Sequence, residues 1–481
     1  MEKIKKITPY IIILVMAFIL ILMSSSCIFG NVGLFWDASV YLNVSKNLTQ
    51  GKILYKDIVD NKGPVLYFIN YIALKLGGEL FVCIVEFIFI YIALLFLYKS
   101  IELINNNKFR SLIVLSIVFI YYARFFTYGV SCEGYALTFS AIAMYECIKF
   151  FKKKAFTNRQ CLLIGILFGL AFFIRANLVV VFVGFGIGIG INLTIEKRFK
   201  ELLKYILFSF IGLLIVCIPI LIYLLANNCF YEFIEHVFIL NTSMNKIGIL
   251  KSIFIMIKTM RVTFLVIFIY LITSIYKIYK KEKFYISPII LIIVTLLFNS
   301  ISKEIYFHYF IAFIPIIMLA YDNILNIICN ISKRNTITYC IVIGIIVLHL
   351  VNYKYIFRFN VAQPNKEIIE YIKNNTTSEA QIAVIGFYDE IYYLSNREPV
   401  SKITYVLSNN AFAEDKQIEI LNQYLGDIIN KKPEIIIEDK VTVKNIVEKY
   451  VDITEYEELK TNNYICINET KDKKVFQLQE N

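Results

Sequence analysis

The chain has 481 residues, of which 58% are hydrophobic and only 18% charged, and its mean hydropathy is +0.66. A soluble globular domain is nearer 45–50% apolar and about 25% charged, so this composition excludes a soluble enzyme and specifies a polytopic α-helical membrane protein. The net charge of +12 does not point to nucleic acid, because most Lys and Arg fall in short loops on one side of the membrane.

In chain order, Lys3, Lys5 and Lys6 precede an apolar run with no Ala-x-Ala cleavage site after it. That pattern predicts a retained first helix over 8–30, entering from the cytoplasm. Residues 31–78 form the first external loop. Within it the spacing predicts a helix over 38–50 stopped by Gly51, then a surface helix over 64–76 broken at Gly77-Gly78. Spans follow at 79–98, 111–130, 133–151, two within 161–195, and one at 202–226. After a longer external loop at 227–250, spans are expected at 251–277, 284–301, 305–328 and 335–352. Each approaches the roughly 20 residues needed to cross the hydrocarbon core. With about eleven spans, every strongly basic loop (Lys99 to Arg110, Lys152-Lys153-Lys154, Lys197 to Lys200, Lys280 to Lys283, Lys333-Arg334) falls on the N-terminal side. The N-terminus is then cytoplasmic and the C-terminus outside the plasma membrane.

This divides the chain into a membrane domain at 1–352 and a small extracytoplasmic α/β domain at 353–481. In the latter, Gln381 to Gly386 and Pro433 to Asp439 read as strands, and 415–429 and 443–450 as helices. No catalytic constellation is evident in it. The ten cysteines include no C-x-x-C pair, which argues against a zinc site or a disulfide framework.

The chemistry is sought at the membrane surface. Asp37 follows Trp36, the only tryptophan, and precedes Tyr41, Tyr55, Asp57, Asp60 and Lys62 in one loop. Capping the helix that follows would explain Asp37, yet a carboxylate held beside apolar surface also suits a general base. Glu133 opens the helix at 133–151, where the helix dipole favours an acid; its predicted side of the membrane is that of Asp37. Glu86, inside the span at 79–98, is read equally as pairing with a neighbouring helix or as a site residue. Arg175 sits in a tight external turn, suited either to snorkelling or to binding a lipid phosphate bidentately. Of three histidines, His349 reads as packing and His236, with Glu232 one helical turn back, as a weak metal signal. His308, followed by Tyr309, is balanced between an interfacial anchor and a site role.

These elements, in this order, resemble the GT-C superfamily of polyprenyl-phosphate-sugar-dependent glycosyltransferases. The nearest branch is the bacterial relatives of protein O-mannosyltransferases and aminoarabinose transferases. The resemblance rests on Asp37 with Tyr41, on Gly51 with Tyr55 and Asp57, and on Asp60, Lys62 and Pro64. It continues through Glu133, Arg175, the segment from Glu235 to Asn241, and His308-Tyr309 with Pro315. Tyr392-Tyr393-Leu394-Ser395 in the terminal domain matches as well. Two features depart from the pattern: Asp37 lacks an adjacent second acid, and Glu133 stands where Asp is frequent.

The resemblance implies an inverting transfer from a polyprenyl-phosphate-linked sugar donor to an extracytoplasmic acceptor in the envelope. Asp37 and Glu133 would be the catalytic residues. Tyr41, Tyr55, Asp57, Asp60, Lys62, Arg175, His308 and Tyr309 would bind substrate. No cofactor is required by this reading; a divalent cation is left open, with Asp37 and Glu133 as the carboxylates for it. The partners would be the donor lipid, the acceptor and the bilayer, and no nucleic acid. The rival is a transporter or flippase of lipid-linked saccharides, which predicts repeated halves that this chain lacks. A third reading, helices that merely anchor a terminal binding domain, does not call for so many spans.

Overall fold

The computed structural model describes residues 2–243, 248–301, 305–331, 344, 356–407 and 412–479. The chain divides into two compact units, one formed by Met1–Asn31, Cys83–Ile220 and Ile247–Asn360, the other by Val32–Val82, Leu221–Lys246 and Val361–Asn481.

The first unit is helical. Across the described residues, six helices are long and apolar enough to cross a membrane: Pro64–Asn105, Ala176–Ile195, Phe199–Ala226, Arg261–Tyr279, Lys283–Ser300 and Phe307–Cys329. The shorter apolar helices Ile7–Ile21 and Asn158–Phe172 join them. The segments expected at 111–130 and 133–151 are the helices Lys108–Phe125 and Cys132–Lys153. The span expected at 335–352, with His349, lies outside the described residues except for residue 344. The protein is thus a multi-pass membrane protein. Two expected spans are corrected: the first helix, expected over 8–30, is Glu2–Ile21, and 251–277 is two helices, Ile249–Thr259 and Arg261–Tyr279, because Met260 between them leaves helical geometry (φ −128°, ψ 46°).

Helices here pack through small residues, as the absence of a hydrophobic drive within lipid demands. A Cβ on Gly184 would come within 2.7 Å of Leu291, and one on Gly188 within 2.2 Å of the Ser287 Oγ. The Val180–Ile195 and Ile286–Ser300 helices therefore meet nearly backbone to backbone. Two buried charged groups inside this unit are paired. Glu86 accepts from Ser24 Oγ (2.6 Å), Ser26 Oγ (2.5 Å) and Val130 N (2.6 Å), which ties its helix to the neighbouring loops. Arg110 grips Asp322 through Nε and Nη2, both at 2.8 Å.

The second unit holds a five-stranded sheet: β1 (Gln381–Ile385), β2 (Glu398–Pro399), β3 (Ile435–Asp439), β4 (Tyr464–Glu469) and β5 (Lys473–Leu478). The order is β2-β1-β3-β5-β4, with β2, β1 and β3 parallel and the β4–β5 hairpin antiparallel. Side chains on alternate positions enter different cores. Ile382, Val384, Ile435 and Ile437 pack with Ile368, Ile369 and Ile372 of the Lys366–Asn375 helix. Ala383, Ile385 and Ile436 pack with Leu421, Tyr424, Leu425 and Ile428 of the Glu414–Lys431 helix. Val59, from a segment more than three hundred residues earlier, is buried in this second core.

Also in this unit are the Trp36–Thr49 helix and the first part of the long Pro64–Asn105 helix, which kinks at Gly77 and Gly78 where the break was predicted. Gly78 has φ 65° and ψ −149°, a combination open essentially to glycine alone.

Candidate functional site

The predicted site residues fall into two clusters, one in each unit. In the helical unit, Ser131 caps the Cys132–Lys153 helix, accepting from Gly134 N at 3.0 Å. Glu133 is thereby held in the first turn, at the positive end of the helix dipole, with its side chain 3% exposed. Arg175 is extended (φ −163°) just before the 3₁₀ turn Ala176–Val179, so its side chain leaves the helix break sideways. Its Nη1 donates to Glu133 Oε1 at 2.8 Å and its Nη2 to the Tyr309 hydroxyl at 2.8 Å. The guanidinium also lies over the Tyr309 ring, 4.6 Å from its centroid. His308 stacks on Tyr306, and its Nε2 is 3.9 Å from Glu133 Oε1, beyond hydrogen-bond reach.

The structure thus brings together all four site residues predicted for this unit. Two of arginine's five N–H donors are spent in the bonds above, leaving donors for an anion. Beside the cluster is a small cleft of about 20 Å³, lined mainly by aliphatic side chains including Leu137, Val180, Val181 and Ile311, with Glu133 and Ser140 as its polar members.

In the second unit, Asp37 lies in the first turn of the Trp36–Thr49 helix. It is not the N-cap: that position is Phe35, which has no side chain able to cap. This corrects the capping explanation, and the carboxylate is oriented instead by its neighbour one turn on, with the Tyr41 hydroxyl 3.4 Å from Oδ2. Lys62 Nζ stands 5.8 Å over the Tyr41 ring and donates to the Asn61 side chain. Tyr55 is fully buried in a left-handed conformation (φ 70°), and its hydroxyl donates to the Lys62 carbonyl at 2.7 Å. Asp57 accepts from Ile53 N at 2.8 Å and closes its own turn.

Asp60 is buried, and both its oxygens accept from tyrosine hydroxyls: Oδ2 from Tyr67 and Oδ1 from Tyr405 at 2.7 Å. The 227–243 segment joins this cluster. Asn241 Nδ2 donates to the Asn61 carbonyl at 2.8 Å, and Glu235 pairs with Lys416 at 2.5 Å. Burial, aided by Lys402, holds the His236 imidazole below its ordinary range and so keeps it neutral.

Tyr67, Tyr405, Asn43 and Asp389 were not anticipated. Asp389 is fully buried and accepts from Asn43 Nδ2 at 2.9 Å, and burial raises its carboxyl to about 7. Its one sequence signal was position: it lies just past the carboxyl end of β1, where open α/β sheets place ligands. Among the described residues no three His, Cys, Asp or Glu side chains gather as a metal-binding group. Glu133 Oε1 is taken up by Arg175.

The chain shares its fold with solved structures. The crystal structure of ArnT from Cupriavidus metallidurans bound to undecaprenyl phosphate matches with a TM-score of 0.63 at 11% identity, over 98% of both chains. The Archaeoglobus fulgidus oligosaccharyltransferase in complex with Zn and sulfate matches with a TM-score of 0.55 at 13% identity, over 89% of this chain and 68% of that one. Residues 3–367 match the family described as the putative competence-induced protein Ccs4 N-terminal domain, and the chain belongs to that family. No curated protein matches the sequence.

Proposed function

We propose that the protein is a membrane glycosyltransferase that moves a sugar from a polyprenyl-phosphate-linked donor to an envelope acceptor outside the cytoplasmic membrane, with inversion. The observation that carries this reading is the Arg175–Glu133–Tyr309 cluster, in a fold shared with a protein crystallised on undecaprenyl phosphate. A charged guanidinium suits a lipid phosphate. Arg175 stabilises the phosphate as it departs, and Glu133 fixes the guanidinium for that task. Asp37 takes the proton of the acceptor hydroxyl as that oxygen attacks C1 of the sugar. Lys62 and His308 add positive charge or donors toward the phosphate. The N-terminus is cytoplasmic in this reading, and the C-terminal sheet domain lies outside.

The test is mass spectrometry of envelope glycans from cells with the wild-type chain, without it, and with Asp37→Asn. Loss of the same sugar in the deletion and in the variant is expected. Full sugar content in cells carrying Asp37→Asn would remove Asp37 from the mechanism.

A further inference from the structure

The β2-β1-β3 part of the sheet contains a topological switch point. The connection after β1 runs to β2 on one side, and the connection after β3 runs toward the β4–β5 hairpin on the other. Open α/β sheets bind their ligands in the crevice at such a point, outside the carboxyl ends of the strands. Here that edge is filled by the protein itself. Across it, the Tyr388 hydroxyl donates to Asp439 Oδ2 at 2.7 Å, and Lys473 Nζ covers the Tyr388 ring at 4.1 Å. A Cβ on Gly386 would come within 2.7 Å of that ring and 3.2 Å of the Asp439 side chain, so little space is left there for a small molecule.

Beside this closed mouth, the residues following β1 and β2 hold the loop that carries Asp37. Asp389 Oδ1 accepts from Asn43, in the middle of the Trp36–Thr49 helix. Lys46 of the same helix donates to the Tyr393 carbonyl at 2.7 Å and lies 4.8 Å over the Tyr393 ring. Val59 N donates to the Lys402 carbonyl at 3.0 Å, and the Val59 side chain enters the sheet's own core. Next to it, Tyr405 donates to Asp60. Lys52 pairs with Glu398 at 3.1 Å. The contacts run in register, from Asn43 to Asp60 on one side and from Asp389 to Lys402 and Tyr405 on the other.

We infer that the C-terminal α/β domain uses its ligand-binding edge as a clamp on the Asp37-bearing loop, with Tyr405 and Asp389 as the positioning residues that fix the Trp36–Thr49 helix and Asp60. A general base must be held to within a fraction of an ångström of the proton it removes. Asp37 sits near the start of a 14-residue helix whose cap makes no side-chain bond. Its orientation is therefore supplied from the helix's flank, and Asn43 and Lys46 are the flank residues that reach the domain. The domain then needs no substrate of its own. Its role rests on the glycosyltransferase reading only in the consequence for catalysis; the mechanical part stands without it.

The experiment uses the full-length protein in nanodiscs and three variants: Tyr405→Phe, which removes one hydroxyl; Asp389→Leu, which removes the acceptor for Asn43; and Asp389→Asn, which keeps an acceptor oxygen at the same place. Amide hydrogen exchange is read over 36–62. Tyr405→Phe and Asp389→Leu are expected to speed exchange there by about tenfold, the size of effect that loss of one buried hydrogen bond produces. Asp389→Asn should stay close to wild type, and the helices Val180–Ile195 and Ile286–Ser300 should not change. Unchanged exchange over 36–62 in both Tyr405→Phe and Asp389→Leu overturns the clamp whatever the activity.

The second readout pairs undecaprenyl phosphate binding by the purified variants with glycan content of cells expressing them. Product should fall by about 10- to 100-fold with lipid binding unchanged, because misplacing a base affects turnover rather than the donor site. Undiminished product in both variants, where Asp37→Asn abolishes it, overturns the positioning role. If Asp37→Asn itself leaves product intact, the functional reading fails, and hydrogen exchange alone then decides the clamp.

Discussion

Arg175 donates to Glu133 at 2.8 Å from across a break between two helices, and the carboxylate it meets is 3% exposed. Neither residue is stable in its place without the other. A buried carboxylate stripped of its partner costs far more than the pair contributes net.

Arg175→Ala should therefore lower stability by about 3–5 kcal/mol, seen as a reduced unfolding midpoint in detergent. Arg175→Ala combined with Glu133→Ala should recover much of that loss. Additive losses in the double variant would mean that the two side chains are not coupled. Undecaprenyl phosphate binding should be weakened in both, since the guanidinium is absent from each.

Asp389 makes a pH prediction. Its carboxyl, ordinarily near 3.8, is raised to about 7 by burial, so the folded chain holds a proton that the unfolded chain releases. The folded state then loses stability as pH rises from about 4 to 7 and stays lowered above that. Asp389→Asn removes this loss while keeping hydrogen-bonding groups toward Asn43 and Thr404. The variant should gain stability over wild type at pH 8 and gain less at pH 5. Glu390, also raised to about 7, keeps part of the slope in both proteins. An equal gain at the two pH values would contradict the assignment.

Gly78→Ala isolates a backbone effect. A Cβ there meets nothing within 4 Å, yet φ is 65° with ψ −149°. The cost should be about 1–3 kcal/mol of conformational strain, read as a lowered unfolding midpoint. Substitution at Gly186, in the middle of a helix and also without neighbours within 4 Å, should show no such loss.

Glu86→Ala strands the Val130 amide, whereas the Ser24 and Ser26 hydroxyls, now also bonded to the carboxylate, keep each other and the Tyr128 carbonyl as partners. A destabilisation of about 1–3 kcal/mol is expected from the unsatisfied buried donor. Glu86→Gln keeps one acceptor oxygen and should fall between Ala and wild type. A midpoint for Glu86→Ala equal to that of wild type would show that water replaces the carboxylate.

The helices of the membrane unit were legible because hydrophobic length is a local signal. So was the break at Gly77-Gly78, and Glu133, Arg175, His308 and Tyr309 were each marked by a polar residue at an apolar segment's end. The division of 251–277 at Met260 carries no Gly or Pro and had nothing local to betray it. In the terminal domain, β1, β3 and the long helix of residues 414–431 announced themselves by periodicity. The β4–β5 hairpin did not, since strand β4 is largely exposed and its apolar Ile465, Cys466 and Ile467 run together instead of alternating with polar residues. Least legible was the meaning of Asp60, which reads as a loop acid beside Lys62. Its neighbours Tyr67 and Tyr405 lie 7 and 345 residues away, and pairing over such a separation leaves no mark in a single sequence.

That separation has a consequence for how the protein comes into being. Asn43 leaves the ribosome 346 residues before its partner Asp389. At about 5–20 residues per second, the Asp37 helix waits roughly 20 to 70 s for the surface that holds it. Until then the newly made chain has Asp37 but not the frame around it. A polypeptide halted anywhere before residue 389 would lack that frame, so a late stretch of the chain completes an early one.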